Sequence, residues 1–144
     1  MSKPADETAA PPQAATVLLV EDHPDVSAVG SDYIAQCGFT VICVSSAEAA
    51  VEMLNQRSDI DLVFSDIVMP GMSGLELGRL IREHHPETPV VLASGYSERA
   101  AAAVAEGFVL LQKPYSLETL RKSLTEAMQG RHVAGRKFAT RQSA

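Results

Sequence analysis

Five short apolar runs, each followed by a stretch with helical spacing, limit the folds open to this chain. The runs are TVLLV (16–20), TVICV (40–44), DLVFS (61–65), PVVLA (89–93) and FVLLQ (108–112). Each is brief, rich in β-branched residues and nearly unbroken, as a strand buried on both faces requires. Between the runs, apolar residues recur three and four apart, the period of a helix with one buried face. Val26, Val29, Tyr33, Ile34 and Cys37 share a face of the first helix, and Ala47, Ala50, Val51 and Leu54 a face of the second. Leu77, Leu80 and Ile81 mark the third, Ala-rich residues 97–106 the fourth, and Leu117, Leu120, Leu124 and Met128 the fifth. Boundary signals agree. Pro24 suits a first helical turn, Ser46 and Ser116 suit N-caps, and Gly38 and Gly107 suit helix ends.

Strict alternation of this kind implies an α/β fold: a doubly wound, five-stranded parallel sheet with helices on both faces and right-handed crossovers. With 144 residues, the chain has room for one domain. That domain is expected over 16–130. Residues 1–15, rich in Ala and Pro without hydrophobic period, read as a disordered leader. Residues 131–144 carry Arg131, Arg136, Lys137 and Arg141 and no acid, and read as a basic flexible tail. A net charge of -6 argues against non-specific nucleic-acid binding. No apolar run approaches the ~18 residues of a membrane span, and no secretory signal opens the chain. Cys37 and Cys43 form no CxxC or metal spacing, which points to core packing in a reducing cytoplasm.

Ligands of doubly wound sheets bind outside the carboxyl ends of the strands, near the switch in strand order. The residues found there are therefore the candidates. Glu21-Asp22 follows the first run, Asp66 the third, Ser94 the fourth and Lys113-Pro114 the fifth. Brought to one edge, these give three carboxylates, one hydroxyl and one ammonium. Two carboxylates ~5 Å apart repel by ~3 kcal/mol at an effective dielectric of ~20. Three cannot all stay ionised unless positive charge intervenes. Lys113 supplies one charge; an all-oxygen set suits Mg²⁺ or Mn²⁺ for the rest. Such a centre can stabilise a transferring phosphoryl group, and a carboxylate beside it can be the nucleophile.

The segments LLVEDHPDV, LVFSDIVMPGMSGLEL, VVLASGYSE and LLQKPYSLETL, in this order and at these strand ends, resemble the receiver domain of two-component response regulators. The resemblance covers residues 16–129. It implies a flavodoxin-like (βα)5 fold that accepts a phosphoryl group, with Mg²⁺, from a phosphohistidine of a histidine kinase or a histidine phosphotransfer protein. Position by position it implies Asp66 as phosphoacceptor, with Lys113 and Ser94 completing the catalytic set. Glu21, Asp22, Asp66 and the backbone carbonyl of Val68 are implied as metal ligands. It also implies a cis bond before Pro114.

Two departures stand out. Leu110 occupies the place where many receivers have Tyr or Phe, so the aromatic switch is missing. Val68, two residues after Asp66, cannot position an attacking water, so slow loss of the phosphoryl group is expected. Tyr96 is placed to cover the site. The four histidines read as surface residues.

Other functions fit less well. A haloacid-dehalogenase-type phosphatase needs a second Asp where Val68 stands. A flavodoxin-like electron carrier needs a hydroxyl- and Gly-rich loop where Glu21-Asp22 stands. A degenerate receiver, acting as a phosphorylation-independent interaction module, is the alternative that Leu110 leaves open. The expectation is thus a cytoplasmic signalling domain rather than an enzyme with an external substrate. No helix-turn-helix follows residue 130, so direct DNA binding is not expected. Output should pass to a downstream protein, with at most a weak homodimer through the fourth and fifth helices.

Overall fold

The computed structural model describes residues 14–95 and 98–141, with residue 98 and residues 131–141 as backbone only. The expected alternation is present. Strand β1 (Thr16–Val20) leads to α1 (Pro24–Gln36), β2 (Thr40–Val44) to α2 (Ala47–Gln56), and β3 (Leu62–Asp66) to α3 (Gly74–His84). β4 (Val90–Ser94) then leads to α4 (Glu98–Ala105), and β5 (Val109–Gln112) to α5 (Leu117–Arg141). All neighbouring strands are parallel, in the order β2-β1-β3-β4-β5. The chain steps outward from β1 to β2 and then back across to β3. This reversal opens a crevice at the carboxyl ends of β1 and β3.

The three central strands are buried on both faces, as continuous apolar runs demand. The two edge strands are not. β2 has only partly buried and exposed positions, and β5 buries Leu111 alone, since each has one strand neighbour and less cover from the helices. This corrects the expectation for the cysteines. Cys43 is exposed on edge strand β2, and Cys37, the C-cap of α1, is only partly buried. The apolar stripe of α1 is also narrower than its spacing suggests. Gly30 and Ile34 are buried, but Val29 is 52% exposed because it lies off the face that meets the sheet.

One core layer packs Leu19, Ile34, Phe64, Leu120 and Leu124 between the sheet and α1 and α5. A second packs Leu18, Ala50, Leu54, Val63, Leu77 and Ile81 beneath α2 and α3. Most of the anticipated boundaries hold. Pro24 opens α1. The Ser46 hydroxyl accepts from the Ala49 amide at 3.0 Å, and the Ser116 hydroxyl from the Thr119 amide at 3.0 Å. Gly38 and Gly107 have positive φ at helix ends. Ser73 adds a full capping box with Glu76 at the start of α3, worth about 1 kcal/mol. The helical backbone of α5 continues to Arg141, into the stretch read as a tail. Residues 1–13 of the leader, and Tyr96, lie outside the described residues.

Candidate functional site

β3 and β4 each run one residue further than the apolar runs suggest, so Asp66 and Ser94 are strand-terminal rather than loop residues. Their backbones are held by the sheet. Asp66 pairs with Ala93, and Ser94 pairs with Gln112. Just beyond, the Ile67 amide donates to Ala93 O at 2.9 Å and the Lys113 amide to Ser94 O at 2.9 Å. Glu21 leaves β1 with its amide on Val44 O at 3.1 Å. Adjacent strand ends thus bring residues far apart in sequence to one edge.

Glu21, Asp22 and Asp66 each offer a carboxylate oxygen, and these lie within 4.8 Å of one another. The Lys113 ammonium joins the cluster, 3.2 Å from Glu21 Oε1 and 3.3 Å from Asp66 Oδ1. Its peptide bond to Pro114 is cis, as the resemblance implied. Glu21 is buried and doubly engaged: Oε1 accepts from Lys113, and Oε2 accepts from the His23 amide at 3.2 Å. His23 is the N-cap of α1 and has no side-chain capping bond of its own. Glu21 therefore serves the helix start and the acidic cluster together.

Asp66 is 10% exposed at its side chain. Burial pushes its carboxyl above the ordinary aspartate range; Lys113 pulls it back down, and the charge of Asp22 adds to the push. Burial is thus the main cause of the rise, and repulsion between the acids the lesser one. Two buried polar atoms lack a hydrogen-bond partner among the described residues: Asp22 Oδ1 and Ser94 Oγ. A buried unsatisfied polar atom costs roughly 1–3 kcal/mol, more for a charged one. A hard cation fits this set. The donors are all oxygen, the charge is in excess, and one oxygen faces no protein donor.

The MPGMSG loop holds the far side. The first amide of α3, Gly74 N, donates to Ile67 O at 2.8 Å. A β-carbon on Gly74 would stand 2.1 Å from Asp66 O, so only glycine admits this approach. At Gly71, where φ is +76°, the loop bends toward α2, and Glu48 Oε2 accepts from the Met72 amide at 3.0 Å. That hydrogen bond lowers the Glu48 carboxyl below its usual range. Neither the role of Gly74 nor that of Glu48 is among the expectations drawn from the sequence. The spacing from Gly74 to Asp66 was the available signal for a close approach. Nothing local marks Glu48, which reaches the loop from another element. Val68 is half-exposed on this loop; His23 and His84 are exposed, as expected, whereas His85 is partly buried with Nε2 3.4 Å from Asn55 Oδ1, and the His132 side chain lies outside the described residues.

The response regulator receiver domain model matches residues 17–125, and the chain belongs to this family. Members are signalling domains of two-component systems that accept a phosphoryl group on an aspartate. The chain is 37% identical over 120 residues to the sensor kinase CckA of Brucella abortus, covering 81% of this chain and 13% of that protein. It is 41% identical over 110 residues to the response regulator protein FleR of Pseudomonas aeruginosa, covering 74% of this chain and 23% of that one. Its fold matches a response regulator receiver protein from Sinorhizobium medicae WSM419, at 30% identity and a TM-score of 0.75, over 82% of this chain and 97% of that chain. The chain thus spans less than a quarter of either of these two curated relatives.

Proposed function

We propose that Asp66 is the phosphoacceptor of this receiver, served by Lys113 and Ser94. A carboxylate oxygen of Asp66 attacks the phosphorus of a phosphohistidine on a histidine kinase or phosphotransfer protein. The P–N bond breaks, the imidazole leaves as a neutral base after taking a proton, and an acyl phosphate remains on Asp66. Glu21, Asp22, Asp66 and the Val68 carbonyl would hold Mg²⁺ or Mn²⁺. When bound, the cation neutralises phosphoryl charge in the transition state. Lys113 pairs with Asp66 in the resting site and can follow the negative charge onto the phosphoryl oxygens. The Ser94 hydroxyl, buried without a partner among the described residues, gains one when a phosphoryl oxygen arrives. The observation carrying this reading is the cluster of three carboxylates within 4.8 Å, one oxygen of it buried without a donor, beside a lysine 3.3 Å from Asp66.

Phosphorylation adds about -1.5 to -2 charge to the end of β3 and biases the surrounding surface. We read the output as altered binding to a downstream protein, without turnover of an external substrate. Among the described residues no helix is long and apolar enough to cross a membrane. The proposed setting is the cytoplasm, and any self-association is proposed to be a weak homodimer.

The test is incubation of the purified protein with acetyl phosphate and Mg²⁺, read by intact mass. One phosphoryl group should be added, and chelation with EDTA should reduce the yield at least ~100-fold. An unmodified mass, under conditions that label another receiver, would instead identify a phosphorylation-independent interaction module.

A further inference from the structure

Tyr115 lies two residues beyond Lys113, in the connection from β5 to α5, and its ring meets two elements. It meets Phe64 of β3 edge to face, with ring centroids 5.7 Å apart, and Tyr33 of α1 in the same manner at 6.2 Å. Its hydroxyl reaches α1 at buried Gly30, where an added β-carbon would lie 3.6 Å from it. Phe64 precedes Asp66 by two residues on the same strand. The ring therefore packs directly on the strand that presents the acceptor. Burial, with the charges of Glu21 and Asp66 nearby, pushes the phenol up to about 12. The side chain stays neutral at working pH and acts through shape and contact.

A lysine carries its charge on a flexible four-carbon stem, so the backbone below it must be fixed for the ammonium to meet its partner. On one side the Lys113 amide is tied to Ser94 O at 2.9 Å. On the other side, the first large packing contact is the partly buried Tyr115 ring against Phe64 and Tyr33. Leu110 on β5 supplies no aromatic for this task. We infer that Tyr115 is a positioning residue for phosphoryl acceptance: wedged between Phe64 and Tyr33, it fixes the segment that brings Lys113 to Asp66. This rests on the reading of Asp66 as the acceptor.

The experiment measures the rate of labelling by acetyl phosphate at saturating Mg²⁺, together with Mg²⁺ affinity. The proteins are wild type, Tyr115→Phe and Tyr115→Leu, each also combined with Lys113→Met. Misplacing a catalytic group by ~1 Å can cost ~100-fold in rate, so Tyr115→Leu should slow labelling about tenfold. Its Mg²⁺ affinity should not fall, because Lys113 is not a metal ligand and its ammonium, 3.2 Å from Glu21 and 3.3 Å from Asp66, competes with a cation for those carboxylates. Tyr115→Phe, which keeps the ring, should restore the wild-type rate. In the Lys113→Met background the Tyr115 substitutions should add little, since residues that act through one another are not additive. Circular dichroism checks folding. Should Tyr115→Leu fail to fold, Tyr115→Met, with its adaptable side chain, takes its place under the same expectations. Wild-type labelling by the truncated variant would overturn the inference. So would an equal slowing with and without Lys113. Failure of the wild-type protein to label would instead overturn the acceptor reading, and this inference with it.

Discussion

Replacing Asp66 with Asn should abolish labelling by acetyl phosphate or by a cognate kinase, leaving only background in the intact mass. The amide keeps the size of the side chain but removes the carboxylate proposed as nucleophile and one of three negative charges in the cluster. No other carboxylate can substitute readily. Glu21 is committed to Lys113 and to the His23 amide, and Asp22 is proposed as a metal ligand. The same substitution should have the opposite effect on stability. Burial raises the Asp66 carboxyl above its unfolded value. Its ionised form is then a burden on the metal-free fold near neutral pH, and this burden disappears as pH falls through the folded-state value. In chelator at neutral pH, Asp66→Asn should therefore melt higher than wild type, and the difference should shrink in acid. Thermal melts in EDTA at two pH values read both signs. A site that gains stability when its reactive group is removed is one built for chemistry.

Gly74→Ala should be among the most damaging single substitutions. The new β-carbon would stand 2.1 Å from Asp66 O, and 2.9 Å from both Asp66 C and Ile67 Cα. All three obstacles are backbone, so no side chain can turn aside. The start of α3 has to move away from the end of β3, which also breaks the 2.8 Å bond from Gly74 N to Ile67 O. Overpacking costs about 1–3 kcal/mol and occasionally more, and a lost buried hydrogen bond about 1 kcal/mol, so the expected loss is about 2–4 kcal/mol. Urea unfolding measures it. Gly130→Ala is the control: among the described residues nothing lies within 4 Å of its added β-carbon, and it should be neutral or slightly stabilising. A Gly74→Ala protein as stable as wild type would show that the approach of α3 to Asp66 is not close.

The sequence made the sheet and the acid cluster legible because both follow from local pattern and chain order. Unbroken β-branched runs can be buried on two faces only in a covered parallel sheet, and β1, β3 and β4 behave that way. Glu21, Asp22, Asp66 and Lys113 stood at strand ends, and the strand order did the rest. Features set by tertiary packing were not legible. TVICV resembles a core strand, yet β2 takes the edge and leaves Cys43 exposed, because sequence pattern does not say which strand lacks a second neighbour. Val29 has the spacing of a core residue but faces away from the sheet. Glu48 reaches the loop from another element, so no motif around Asp66 announces it, and Tyr115 stands in a quoted segment whose sequence does not show that its ring packs on Phe64.

The most direct measurement locates the phosphoryl group on the labelled wild-type protein. Borohydride reduction converts an acyl phosphate to an alcohol, and peptide sequencing by mass spectrometry then finds the changed residue. Conversion at Asp66, present with Mg²⁺ and absent with EDTA, is the expected result. Conversion at Glu21 or Asp22, or a phosphoryl group found on a histidine, would contradict the assignment of Asp66 as the acceptor.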